Sequence, residues 1–237
     1  MQCSNLASSI IIAAGIAGGL AILGSSLDTA VGRFVDRDRV VTVKGLAEQQ
    51  VSADRVIWPL SFRELGNDLQ QVFGTVNAKS ALIVDFLKAG GIKASEISIS
   101  APAVDDAQAN NYGGNQRPMR YSLTQTITVT TDKVEAVLKL MQQQSELIGK
   151  GITLASDYNW RTRFDFTGLN AIKPGMIETA TVNAREAAQK FAQDSGSTLG
   201  KIRRASQGQF SISNRDENTP YIKNVRVVTT VEYFLKD

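Results

Sequence analysis

The chain has 237 residues, with 26 Lys and Arg against 23 Asp and Glu and a formal net charge of +3. It contains no histidine and a single cysteine, Cys3, which excludes Ser-His-Asp and Cys-His catalysis, His-ligated metal sites and an internal disulfide. The weak charge carries no dense basic block, the nearest being Lys201, Arg203 and Arg204, so nucleic acid is not an expected partner.

From Leu6 to Leu27 the chain is apolar and uncharged, and the first charge is Asp28. A run of ~22 such residues is long enough to span a hydrocarbon core of about 30 Å. Residues 1–27 hold no Lys or Arg, and no Ala-x-Ala pattern comes after the run, which favours a retained anchor over a cleaved signal. Residues 1–35 are therefore expected to form a membrane anchor (or uncleaved signal) with a short linker, and residues 36–237 one soluble domain. Gly15 and Gly19 make a small-xxx-small pair of the kind that lets membrane helices approach closely, though an Ala/Gly-rich apolar run contains such pairs by default. Arg33, Arg37, Arg39 and Lys44 lie just after the anchor; by the positive-inside tendency they oppose export of the domain behind them.

In the soluble part, Arg39 to Val51 reads as a strand with an irregularity at Gly45. Val56, Trp58, Leu60 and Phe62 alternate on one face of a second strand, in which Pro59 predicts an edge or a bulge. Asn67 caps a helix carrying Leu69, Val72, Phe73, Val76, Ile83 and Leu87, which Gly90-Gly91 ends. A short strand covers Glu96 to Ala103, and residues 105–118 form a long polar loop. Tyr121, Leu123, Ile127 and Val129 then share the buried face of a strand whose other face, of Ser and Thr, is wet. Asp132-Lys133-Val134-Glu135 fits a capping box, opening a helix that buries Val134, Val137, Leu138, Met141 and Ile148. Ile152 to Phe166 reads as a strand with Tyr158, Trp160, Phe164 and Phe166 on one face. A third helix runs from about Pro174 to Asp194 with Ile177, Ala180, Ala184, Ala187, Ala188 and Phe191 inward, stopped at Gly196. Two strands, Lys201–Ser213 and Tyr221–Leu235, close the chain. The order β-β-α-β-β-α-β-α-β-β predicts an α+β domain: one mixed, largely antiparallel sheet with three helices, mostly on one face.

Chemistry is sparse. Asp105-Asp106 with Asn110 and Asn111 offers oxygen ligands for a hard cation, but without the Gly and Glu spacing of a calcium loop it reads as a solvated turn. The aromatic and arginine faces of 152–166 fit a half-buried strand better than a base-stacking platform. Gly113-Gly114 and Gly90-Gly91 do not come after a strand and open a helix as phosphate loops do, and are turn glycines. No catalytic, metal or cofactor residue is assigned. Lack of histidine leaves acid-pair hydrolysis fully open, since its carboxylates meet in space and not in the chain.

Several segments together resemble the SIMPL domain. Val41-Thr42-Val43-Lys44-Gly45, Ala47-Glu48, Ala53-Asp54 and Trp58 resemble its opening. Phe166-Thr167-Gly168-Leu169-Asn170, then Ala184-Arg185, Ala187-Ala188 and Ala192, resemble its middle, and Leu199-Gly200-Lys201-Ile202 with the last valine-rich strand its end. The resemblance covers roughly residues 40–235 and implies a bacterial, exported or envelope-held α+β protein, with relatives linked to oxidative-stress defence and no agreed catalytic residues. A thiol mechanism for such defence is excluded here, because the soluble part lacks cysteine. The reading from sequence is a non-enzymatic protein of the bacterial inner membrane, single-pass, anchored through residues 6–27 with its domain in the periplasm. It would act by binding an envelope partner or by homo-oligomerisation. The alternatives are a carboxylate-dependent hydrolase and a small-ligand binder with the 105–118 loop as lid.

Overall fold

The computed structural model describes residues 15–20, 22–24, 39–109, 118–155 and 161–236. The chain is an α+β fold of antiparallel sheets and several helices. In order it forms β1 (Val40–Ser52), β2 (Arg55–Gly66), α1 (Leu69–Ala89), a 3-10 turn (Ala94–Glu96), β3 (Ile97–Ile99), β4 (Ala103–Asp106) and β5 (Tyr121–Thr131). Next come α2 (Val134–Gln142), α3 (Ser145–Gly149), β6 (Arg163–Asp165), α4 (Leu169–Asp194), β7 (Thr198–Gln207), β8 (Ser211–Asn214) and β9 (Ile222–Lys236).

The strands make two sheets in place of the single one expected. One has the order β1-β9-β7 with β8 also on β9; the other has the order β3-β5-β2-β6 with β4 also on β5. β5 is flanked by β2 on one side and by β3 and β4 in succession on the other, so the second sheet offers β1 no place beside β5. The described residues fall into two compact units, drawn from Met1–Glu48, Lys173–Ser211 and Arg226–Asp237, and from Gln49–Ile172 and Ile212–Val225.

In the second of these units, β2 and β5 pair over eleven residues, from Val56↔Thr131 to Gly66↔Tyr121. Val56, Trp58, Leu60 and Phe62 alternate inward with Leu123, Ile127 and Val129, as their spacing predicts, and α1 covers them with Val72, Val76, Ile83, Phe86 and Leu87. α1 is capped by Asp68, whose carboxylate accepts from Gln71 N at 3.0 Å, and not by Asn67. Asn67 instead accepts from Arg120 N. Gly91, at φ +88°, turns the chain away after α1. Pro59 does not mark an edge strand: β2 lies between β5 and β6, and β6 pairs only with Arg55–Ile57, short of the proline. The Ser/Thr face of β5 is not wholly wet either, because Thr126 is buried and donates to Ser61 Oγ.

The helix expected after Asp132 starts at Val134 without a side-chain cap, and the backbone N–H of Lys133 is held instead by Thr131 Oγ1 at 3.1 Å. It ends at Gln142 and restarts at Ser145. That break resets the helical phase, so Leu140 and Leu147 are buried while Ile148 is exposed. Of the strand expected over 152–166, Leu154 makes one bridge to Phe62 and β6 covers Arg163–Asp165; Tyr158 and Trp160 lie outside the described residues.

In the other unit, α4 presents Met176, Ala180, Ala184, Ala188 and Ala192, one every fourth residue, to the interior, and Phe191 faces solvent. Val43, Val231 and Tyr233 pack against Ala184 and Ala188. Gly45 does not interrupt β1. A Cβ there would stand 1.8 Å from Ala180 O and 2.5 Å from Ala184 N, so its missing side chain lets strand and helix backbones touch. Asn183 Nδ2 secures the same contact by donating to Leu46 O at 2.8 Å. Gly196, at φ +70°, ends the helix as predicted.

Of the expected anchor, residues 15–20 and 22–24 are helical and the rest lie outside the described residues. No helix among the described residues is long and apolar enough to cross a membrane.

Two glycines separate close packing from helix propensity. Gly45→Ala should lower the free energy of unfolding by about 3 kcal/mol, because backbone atoms must move to admit the methyl. Gly74→Ala, in α1 with nothing within 4 Å of the new Cβ, should raise it by about 0.5–1 kcal/mol. Urea unfolding of the two variants beside the parent checks both signs.

Candidate functional site

A polar hollow in the larger sheet lies on the face turned away from α1. Strand register builds its floor: Arg63 pairs with Thr124, which pairs with Ala103, and Leu65 pairs with Ser122, which pairs with Asp105. All six share one face because side chains alternate along a strand. Ala103, Ser122 and Thr124 are small, and the dent they leave, walled by Ala107, Pro118, Met119 and Arg120, measures about 590 Å³.

Charge is distributed unevenly around this trough. Arg63 Nε donates to Thr124 Oγ1 at 3.1 Å. Arg120 is bound to Asp106, with Nε 3.1 Å from Oδ1 and Nη2 3.0 Å from Oδ2, and its guanidinium lies 4.8 Å from the Tyr121 ring centre. The Arg120 hydrogen bond is the chief reason that Asp106 sits below the ordinary carboxylate range, helped by Gln108 N–H. Asp106, one of the oxygen ligands considered from sequence, is therefore spent on an ion pair. Asn110 and Asn111, its proposed companions, lie outside the described residues.

A larger hollow, about 890 Å³, lies beside α2 and is lined by Ser52, Ala53, Gly90, Val134, Leu138, Leu140 and Tyr221 among others. Of its two lysines, Lys133 and Lys139, the first is committed: Lys133 Nζ donates to Gly91 O at 2.7 Å and stands 3.7 Å from Glu96. Glu96 accepts from Lys93 N and Thr131 Oγ1, which hold its pKa down. In the other unit a smaller hollow, about 350 Å³, is lined by Thr42, Arg204, Ser206, Thr230 and Glu232, the last bonded to Arg203.

The remaining sequence candidates divide plainly. Gly90 and Gly91 serve the end of α1, and Gly113-Gly114 lie outside the described residues. Phe164 is buried edge-on to Tyr221, with ring centres 6.0 Å apart, and so offers no stacking face. Among the described residues no three His, Cys, Asp or Glu side chains gather as a metal site. Glu96, Asp106 and Asp216 each lie below their ordinary values, the opposite of what a general acid needs.

A residue that sequence reading treated only as part of a motif has a clear structural role. Asp54 accepts from Thr167 N at 2.7 Å and from Gly168 N at 2.8 Å, immediately before α4. A carboxylate there satisfies orphan N–H groups and faces the positive end of the helix. This is why α4 starts at Leu169 and runs through Pro174, where the sequence predicts its first residue. The only local signal was the pair Ala53-Asp54 itself.

Residues 41–233 match the model of one protein family, SIMPL, described as a protein of unknown function (DUF541). The chain belongs to the SIMPL family. No curated protein matches it. The residues that carried the SIMPL resemblance have structural duties: Gly45 admits α4, Ala47, Ala53 and Trp58 are buried, Asp54 caps a helix, and Ala184, Ala188 and Ala192 form that helix's buried stripe. In this SIMPL chain the shared motif thus describes packing and capping, and the hollows are lined largely by other residues.

Asp216 supplies a pH test. Hydrogen bonds from the Thr219 hydroxyl, Arg215 and two backbone N–H groups hold it at about 2, down from 3.8. A carboxylate lowered on folding adds stability that is full above its unfolded pKa and is lost as pH falls through the folded one. The contributions of Asp216, Asp106 and Glu96 should therefore be constant from pH 7 to about 5 and decline below that. Asp216→Asn should flatten the part of the decline between about pH 4 and 2, read from urea midpoints across the range.

Proposed function

We propose that this SIMPL protein is held in a bacterial inner membrane by residues 6–27, with its domain on the periplasmic side, and that it acts by binding or self-association in the envelope, in a stress-defence setting. One observation carries the anchoring. Ile16, Leu20 and Leu23, in the helical part of the apolar run, are 60%, 63% and 61% exposed. A helix apolar on every side gains stability only where water is excluded, and a bilayer supplies such a place for a run of this length. The positive residues after the run weigh against a periplasmic domain, and the exported habit implied by the family resemblance weighs for it.

Binding is favoured over turnover by the kinds of surface on offer. The hollow beside α2 sets Ala53, Val134, Leu138, Leu140 and Tyr221 around a space large enough for several side chains of a partner. Among the described residues β1 and β7 are the ends of their sheet. β7 is irregular at Leu199–Arg204 and carries Lys201, Arg203 and Arg204, devices that discourage edge pairing, and β8 has only 4 residues against the 13 of β1, which favours β1 as the edge for a second copy. Confinement to the plane of a membrane raises the effective concentration of such domains.

The test is alkaline washing of membranes from cells making the full chain. The parent should stay in the pellet. Leu20→Arg, a central charge costing about 3 kcal/mol of insertion energy, should shift it toward the supernatant. Detergent-extracted parent should also show a mass above one chain by light scattering. A parent released by the wash would end the anchoring claim, and a strictly monomeric mass would end the self-association claim.

A further inference from the structure

The trough above β2, β4 and β5 has a polar end and an apolar rim, and the geometry points to a binding site for a small amphiphilic monocarboxylate. This deepens the reading of the domain as a binder and needs neither the anchor nor self-association. Arg63 is the anion-recognising group. Its Nε is fixed by Thr124 Oγ1 at 3.1 Å, which orients the planar guanidinium while leaving the two Nη groups without a carboxylate partner among the described residues. An arginine held by one nitrogen presents the rest of its fork to a carboxylate in a fixed plane. The Ser122 and Thr124 hydroxyls lie on neighbouring rows of the same face and can each turn a proton toward a bound oxygen.

The second half of the ligand is set by the rim. Leu65 and Met119 line the trough and are 59% and 42% exposed, so two large apolar side chains stand in water beside a polar floor. A hydrocarbon tail laid across them removes that surface from solvent at about 25 cal/mol per Å² of apolar area. The volume, about 590 Å³, falls within the range of roughly 300–1,000 Å³ usual for small-ligand sites. Arg63 brings one positive charge to this floor, which a head of single negative charge matches.

The experiment is calorimetric titration of the full chain, in a non-ionic detergent, with hexanoate, acetate, hexanamide and inorganic phosphate as probes. Hexanoate should bind saturably at one site per chain. Hexanamide, which keeps the tail and lacks the charge, should bind at least about tenfold more weakly, as should acetate, which lacks the tail. Phosphate should give no saturable heat. Arg63→Gln should weaken hexanoate by about tenfold or more, and Met119→Ser should narrow the gap between hexanoate and acetate; Lys201→Gln, in the other unit, should change neither. Thermal unfolding of each variant separates loss of binding from loss of fold, and an Arg63→Gln chain that unfolds would be replaced by Arg63→Lys, which keeps charge but loses the fork. Equal hexanoate affinity in parent and folded Arg63 variants, equal binding of hexanoate and hexanamide, or no saturable heat from hexanoate would each overturn the assignment. None of these outcomes touches the membrane-wash result, so the two claims fail separately.

Discussion

A carboxylate between β1 and β2 holds the start of a helix more than a hundred residues further along the chain. Asp54 receives the N–H groups of Thr167 and Gly168, and α4 begins one residue later. Closing so long a loop costs chain entropy, and the contact is sustained because the acceptor is charged and the donors sit at the positive end of a helix. Next to it, Ala53 N donates to Tyr221 O, and Asp54 N to Asp165 O, so two distant segments meet around one short turn. Few places in the chain bring together so many separate parts with so few atoms.

Beyond this cap, the body of α4 obeys a different constraint, that of distance. An alanine at every fourth position leaves the helix with almost no side-chain thickness on one face, and Gly45 removes the last obstacle on β1. Such contacts bury little area per residue but bring backbones close enough for dispersion to act over many atom pairs. The family likeness thus records two physical solutions, a remote helix cap and a thin helix–strand contact. Neither requires reactive chemistry.

Much of this was legible in the residues. The alternation of Val56, Trp58, Leu60 and Phe62, and of Leu123, Ile127 and Val129, gave the faces of β2 and β5, because burial on one side of a strand imposes a period of two. α1 and the stops at Gly91 and Gly196 were equally readable, since φ and capping are local matters. The misses are nonlocal. Proline preference placed the start of α4 at Pro174, while the group that sets it lies in another segment. The two-residue break after Gln142 carries no Gly or Pro, so nothing local warned that Leu147 and not Ile148 would turn inward. Two sheets replaced one because strand partners are chosen in space. The trough was hidden for the same reason: Arg63, Ser122 and Thr124 look like ordinary strand positions until register aligns them. Asp105 and Asp106 drew notice as a pair, yet register puts them on opposite faces, and Asp106 serves Arg120.

The resulting picture is of a fold stabilised by Gly45, Asp54 and the alanines of α4, residues that carried the family resemblance, and presenting hollows lined largely by others. Its most direct test is the unfolding free energy of Asp54→Ala. Loss of hydrogen bonds to a charged acceptor should lower it by about 2 kcal/mol with an unchanged denaturant slope. An unfolding midpoint equal to that of the parent would contradict the claim that this remote cap holds the structure.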